Sequence, residues 1–340
     1  HAHLHSGVGE KLGKMFLANG ITSVRETGAD PYDALERKEA WSSGRTPGPR
    51  LFSTGFLDGS GVYYGLSNPV VSREHMKLEM ERADKLGSDL VKTYVRMSDS
   101  VQKEIIDEAH KLGLPVSSHE IFPAAAYNID AVEHFRGTSR RGYSPKQSAL
   151  NRIYDDVIQI YVGSGMTVTP TIVMHEGFTK IIKEYPRLLD NKQFRAFYSG
   201  DYISGWANRP SSTNYGPNFH EFQKAVHSVI NSGGRITAGT DSPFVPYGTS
   251  LLAELWLFVD GGLTPFQALQ SATIKAAEAA GVTADLGSVE PGKLADMVII
   301  DGDPLNKISD IWNVEIVIKN GVRYSVSELL TKYQAHNYNP

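Results

Sequence analysis

The chain begins His1-Ala2-His3-Leu4-His5. In a β-strand successive side chains point to opposite faces, so His1 and His3 would share one face, where two imidazoles can chelate a divalent cation. His3 and His5 have the same spacing, so the residues alone leave two candidate pairs. Groups of matching chemistry close later apolar runs: His119 ends Pro-Val-Ser-Ser-His, His134 ends Ala-Val-Glu-His, and Asp241 follows Ile-Thr-Ala-Gly-Thr. Lys92 lies within Leu90-Val91-Lys92-Thr93-Tyr94-Val95-Arg96. Alternation there puts Val91, Thr93 and Val95 on one face and Lys92, Tyr94 and Arg96 on the other. If the apolar face meets a helix layer, Lys92 points into the core, where a bare ammonium is costly unless paired or neutralised. Carboxylation of that amine by CO2 would give an anionic carbamate able to bridge two metals. Each residue also has an ordinary reading: a satisfied core histidine, a lysine at a frayed strand end, an aspartate capping a helix. Their joint placement on five strand ends favours a metal site.

Short β-branched runs at 21–25, 50–55, 89–95, 115–119, 131–134, 166–171 and 235–240 alternate with helical patterns such as 72–87, 98–112 and 146–163. This alternation predicts a parallel sheet. Those seven strands, with one ending at His1–His3, close most simply as a (β/α)8 barrel of α/β class, which carries catalytic groups at the C-terminal strand ends. Helical patterns at 251–260 and 264–280 complete it. The long aromatic and charged segment 175–217 is expected to be a lid-like insertion. After Gly281 the texture becomes short strands around Asp301-Gly302 and Asn320-Gly321 turns, expected as a small β-sandwich appendage. The expected division is a barrel over 1–285 and the appendage over 286–340.

The 340 residues are 41% hydrophobic and 21% charged, an ordinary globular composition. A net charge of −4 offers no basic footprint for nucleic acid. No apolar run approaches the roughly twenty residues of a membrane-spanning helix. The absence of cysteine removes disulfides, thiolate catalysis and Cys-type zinc sites together. Compartment, cytoplasmic or periplasmic, is not readable, and a homo-oligomer is compatible with everything above.

The order His-x-His, Lys, His, His, Asp on successive strand ends resembles the amidohydrolase superfamily in its binuclear-metal, carboxylated-lysine branch. Gly20-Ile21-Thr22-Ser23-Val24-Arg25 is similar to that family's second strand, and Pro170-Thr171 also matches. The run from Gly287 to Asp296 (GSVEPGKLAD) resembles its link back into a β-sandwich. The texture is similar to prolidase-like and imidazolonepropionase-like members. The family pattern Asp-x-His-x-His-Leu sets Leu4 after the second ligand, which selects His1 and His3 and leaves His5 as a neighbour. It also implies a preceding strand and the N-terminal half of the sandwich, expected as a missing N-terminal segment of the same protein.

The resemblance implies two divalent metals, zinc first, with manganese or cobalt able to substitute. One would take His1, His3, Asp241 and carboxylated Lys92; the other would take the carbamate's second oxygen, His119 and His134. A metal-bridging hydroxide would attack the scissile carbonyl while Asp241 moves its proton to the leaving nitrogen. Tyr94 is a candidate oxyanion donor. Arg136, with Arg140 and Arg141, is a candidate carboxylate clamp, and His175 a pocket residue. Tyr202, Trp206 and Tyr215 would wall the pocket or pack the lid. The implied function is hydrolysis of amide bonds in a small molecule or short peptide, of dipeptidase, prolidase or cyclic-amide type. Lactonase or phosphotriesterase chemistry on the same metals is the enzymatic alternative, and a non-catalytic scaffold the other. A copper site built on a terminal His1 amine would require a β-sandwich, which this pattern does not resemble.

Overall fold

A computed structural model describes residues 1–4, 9–59, 67–136, 145–210 and 218–334. Twelve strands organise it. They are β1 (Ser23–Arg25), β2 (Arg50–Phe52), β3 (Thr54–Asp58), β4 (Asn68–Pro69), β5 (Leu90–Thr93), β6 (Val116–Ser118), β7 (Ala131–Glu133), β8 (Thr167–Thr169), β9 (Arg235–Ile236), β10 (Met297–Ile300), β11 (Val314–Lys319) and β12 (Val322–Ser325). Each expected position from 21–25 to 235–240 holds a strand, usually shorter than the apolar run that marked it; at the first, His1–His3, only Ala2 makes isolated bridges.

Pairing is parallel from β1 to β2, then from β3 through β5, β6, β7 and β8 to β9. Ala2 joins the two arcs by bridging Glu26 on one side and Ser242 on the other. Its N–H donates to the Arg25 carbonyl at 3.2 Å, and the His3 N–H donates to the Ser242 carbonyl at 2.8 Å. The result is an α/β fold around a parallel central sheet, consistent with the eight-stranded barrel.

Register explains which side chains face the interior. Val91 pairs with Val116, and Val132 with Val168, which pairs in turn with Ile236; Val132 lies opposite Ser118, on the same face as Val116, and all five are 0–1% exposed in one apolar layer with the surrounding helices. Burying five such side chains contributes about 1.5–3 kcal/mol each. The alternate positions Lys92, Ser117, Glu133 and Thr169 therefore point inward. The helix Asp99–Lys111 shows the outer layer's logic. Ser98 caps it by accepting from the Val101 N–H, and Gln102, Ile105, Ile106 and Ala109 form its buried stripe. Gln102 then donates to Thr93 Oγ1 and Ser118 Oγ, tying the outer faces of β5 and β6.

Three expectations change in detail. The helix expected over 146–163 starts at Asp155, because Lys146 is buried against the sheet. The pattern over 264–280 is two helices, Pro265–Ser271 and Ile274–Ala279. The insertion 175–217 is largely helical in its described part, and Phe178, Phe194 and Trp206 anchor it in the main core. The ring of Trp206 packs edge-on against Phe178 at 4.9 Å, and Tyr202 stacks on Tyr198 at 4.6 Å, so both aromatics pack the insertion itself. Tyr215 lies outside the described residues.

β10, β11 and β12 form one antiparallel three-stranded sheet. A second sheet facing it, which a sandwich requires, is not found among the described residues. No described helix is long and apolar enough to cross a membrane. A cavity of about 420 Å³ lies beside Ala2, walled by Thr22–Arg25 and Thr237–Thr240 and floored by Leu251 and Leu255.

Gly239 shows how closely the inner layer is packed. A Cβ there would sit 2.4 Å from Thr169 Cγ2 and 3.0 Å from His1 Cβ. Gly239→Ala should cost about 1–3 kcal/mol through overpacking. Urea denaturation of the metal-free variant measures it, and an unchanged midpoint would refute the close approach.

Candidate metal centre

His1, His3 and Asp241 bring one ligand atom each to within 4.8 Å of one another. Asp241 Oδ1 stands 3.2 Å from His1 Nε2 and 3.2 Å from His3 Nε2. That oxygen is buried and makes no hydrogen bond of good geometry. A lone-pair atom held between two ring nitrogens without bonding to either is the arrangement a cation would satisfy.

Each ring's remote nitrogen is fixed from behind. His1 Nδ1 donates to Glu133 Oε2 at 2.6 Å, which leaves Nε2 to accept from Thr27 Oγ1 at 2.8 Å. Glu133 is in turn held by Arg25 at 2.8 Å. Burial opposes its charge, but Arg25 and His1 outweigh it and hold the carboxyl well below the usual range. His3 Nδ1 donates to the Gly28 carbonyl at 2.9 Å, with Glu26 Oε1 at 3.5 Å. Carboxylate and carbonyl partners of this kind set the tautomer and strengthen an imidazole as a ligand.

His3 carries a consequence for metal uptake. Burial lowers its basicity, yet Asp241 and Glu26 together raise it from 6.5 to about 10. At pH 8 the metal-free protein therefore holds a proton on His3 that a cation must displace. Zinc uptake at pH 8 should release about one proton from this site, read by calorimetry in buffers of differing ionisation enthalpy. Uptake independent of buffer would refute the assignment. The raised value also means that His3 stabilises the metal-free fold fully below pH 6.5, and that this contribution is lost as pH rises through about 10.

A second cluster lies alongside. The His134 ring is 4.9 Å from that of His1 and 4.7 Å from that of His119, and Tyr94 meets His119 edge-on at 4.6 Å. His134 Nε2 is 3.7 Å from Asp241 Oδ2. Burial, reinforced by nearby cationic groups, pushes both His119 and His134 well below their usual value, so both are neutral and able to ligate. Lys92 is 1% exposed, with Nζ 5.5 Å from the centre of the Phe56 ring. No ion pair reaches that amine among the described residues. Burial lowers its pKa against the pull of Glu133 and Asp241, favouring the neutral, nucleophilic amine.

Backbone conformation aims part of this set. Strict alternation from Glu133 would turn His134 outward, but its φ of +62° redirects the ring inward; Asp241 has φ +56°. Left-handed backbone at non-glycine residues costs about 1–3 kcal/mol each and persists where surrounding structure enforces it.

At the periphery, Arg136 donates to Asn151 Oδ1 at 3.0 Å. His175 lies buried in a distorted turn 5.4 Å from Phe222, and burial pushes it down to about 4. Arg140, Arg141 and His5 lie outside the described residues. Sequence reasoning passed over Arg25, Glu26, Glu133 and Lys146. For Arg25 and Glu133 a signal was present: period-two alternation from Val24 and Val132 puts opposite charges on one inner face. Lys146 follows Ser144-Pro145 with no period to betray it. Its Nζ donates to the Glu133 carbonyl at 2.7 Å, and burial lowers it to about 7.

A model of the amidohydrolase family matches residues 6–323. An imidazolonepropionase from Sphingopyxis alaskensis is 38% identical over 85 residues, which are 23% of this chain and 20% of that protein. The matched stretch thus spans about a fifth of that relative's length. Among solved structures, a Xaa-Pro dipeptidase with methionine in its active site superposes with a TM-score of 0.68 at 21% identity, covering 93% of this chain and 78% of the other. A bottromycin amidohydrolase gives 0.70 at 20% identity, covering 96% and 76%. With the family model spanning nearly the whole chain and the fold shared with these structures, the chain belongs to the amidohydrolase family.

Proposed function

We propose that this chain is a metal-dependent hydrolase of amide C–N bonds, prolidase-like or dipeptidase-like, with cyclic amides as the neighbouring substrate class. The observation that carries the reading is the convergence of His1, His3 and buried Asp241 beside two neutral histidines and a buried lysine with no ion pair among the described residues. In this reading His1, His3 and Asp241 hold one divalent cation, zinc by the chemistry of its ligands, while His119 and His134 hold a second. Lys92 Nζ could add to CO2 and lose a proton, and the resulting carbamate would supply further oxygen ligands to such cations. When bound, the two cations supply Lewis-acid polarisation of the scissile carbonyl and acidify a water towards neutrality.

The remaining steps belong to the chain. Asp241 is kept ionised: burial opposes its charge, but His134, His1 and His3 outweigh it and hold the carboxyl well below its usual range. Its free oxygen accepts a proton from the attacking water and delivers it to the leaving amide nitrogen. Tyr94, packed against His119, donates its phenol proton to the carbonyl oxygen as charge develops there. Neutral His175 and the Arg136 guanidinium orient the substrate at the cleft's edge, Arg136 by engaging a peptide carboxylate.

The experiment is a panel of Xaa-Pro and other dipeptides, cyclic amides, lactones and phosphotriesters, assayed on protein purified in zinc with metal content measured. Turnover of the amides with close to two equivalents of metal is expected. Preferential turnover of lactones or phosphotriesters would overturn the amide assignment. Less than one equivalent with no turnover would identify a scaffold.

A further inference from the structure

The turn leaving β8 positions part of the site from behind. Thr171 has φ +47°, a costly conformation for a β-branched residue. Its Oγ1 lies 2.7 Å from His134 Nδ1. With Nδ1–H donating to that oxygen, the Nε2 lone pair faces Asp241. The clamp on this turn comes from elsewhere in the chain. Glu254, on the helix Thr249–Asp260, is fully buried and accepts from two consecutive N–H groups: Ile172 to Oε1 at 3.0 Å and Val173 to Oε2 at 2.6 Å. No basic side chain pairs with it among the described residues. A carboxylic group buried without a cation is expensive, and a neutral side chain could satisfy one N–H at lower cost. Burial raises the Glu254 pKa from 4.5 to about 8; what the carboxyl group adds, against an amide, is a second acceptor oxygen, a fork that fixes two successive peptide planes at once. Those planes immediately follow Thr171, so they determine where its hydroxyl lies.

We propose that Glu254 is a positioning residue. The two oxygens of its carboxyl group hold the Ile172–Val173 turn so that Thr171 Oγ1 locks His134 in the Nδ1–H tautomer, with Nε2 directed at the metal centre. This rests on the proposed function only in taking His134 as a metal-holding residue.

The test reads the His134 tautomer by imidazole ¹⁵N NMR in metal-free protein, and zinc affinity by chelator competition. Wild type should show a single Nδ1–H tautomer. Thr171→Val and Glu254→Gln should each give a tautomer mixture and weaken zinc binding about 10–100-fold, the range for partners one shell behind a ligand. Thr171→Ser, which keeps the hydroxyl, should restore both readings. The double variant Glu254→Gln/Thr171→Val should bind no more weakly than the worse single one, because both act through one contact. A Glu254→Gln protein that keeps the wild-type tautomer and affinity, or losses that multiply in the double variant, would overturn the proposal. If the glutamine variant does not fold, Glu254→Asp, which withdraws the fork by one methylene, decides on the same readings. A wild type that binds no zinc defeats the proposed function, while the metal-free tautomer still decides the role of Glu254.

Discussion

Lys92→Met should abolish amide hydrolysis while making the metal-free protein more stable. The two effects have one cause. Lys92 is almost fully buried on the inner face of β5, with an aromatic ring for a neighbour and no ion pair among the described residues. Where that amine is not carboxylated, it is a desolvated group with no ion pair among the described residues. Methionine has nearly the same volume and no such penalty, so the exchange should raise unfolding stability by about 1–3 kcal/mol, as replacing buried ionisable groups often does. The same exchange removes the amine that, in the proposed site, CO2 would convert into a carbamate ligand. Losing a ligand to both cations should remove several kcal/mol of transition-state stabilisation, a fall in kcat of at least ~10³-fold. Metal analysis should show less than two equivalents. A variant with both metals and normal turnover would eliminate the bridging role, and a less stable metal-free variant would show that Lys92 is structural.

The elements were legible because a barrel strand buried on its outer face must carry an apolar residue at every second position. Val91, Val116, Val132, Val168 and Ile236 do so on one common face, which also made the inward direction of Lys92 derivable. The same rule fails at His134. Two neighbours cannot both face inward on a regular strand, so Glu133 and His134 share the interior only because backbone left-handedness breaks the alternation. Position at a strand end marked His134 as a candidate, but nothing local marked the turn. Lys146 and Glu254 were hidden for a different reason. Their roles depend on carbonyl and N–H groups far away in the chain, and pattern within one segment does not encode such contacts. The helical insertion was read as a lid from its length alone. Its aromatic residues, which bury it in the core, were visible but equally compatible with a pocket wall.

Asp241→Asn should lower kcat by about 10³–10⁴-fold at pH 7, at the upper end of what a positioned proton carrier contributes. Asparagine keeps the size and can still present a carbonyl oxygen to a cation. It cannot take the proton from water and pass it to the leaving nitrogen, so uptake of metal should weaken less than turnover. A second reading comes from the metal-free protein, where no catalysis enters. Asp241 is the largest of the carboxylate influences that raise His3 to about 10. Without its charge, burial should draw the His3 pKa down, and the proton released on zinc uptake at pH 8 should diminish or vanish. The sign for stability follows. Wild-type metal-free protein loses a stabilising contribution as pH climbs from about 7 to 10, because its folded state binds the His3 proton more tightly than the unfolded chain does. In the asparagine variant that decline should flatten, since the folded and unfolded affinities move together. Thermal unfolding at closely spaced pH values measures it. Undiminished turnover would remove Asp241 from the proton path. An unchanged alkaline decline with lost turnover would instead confine its role to the loaded site and place the origin of the His3 shift in Glu26.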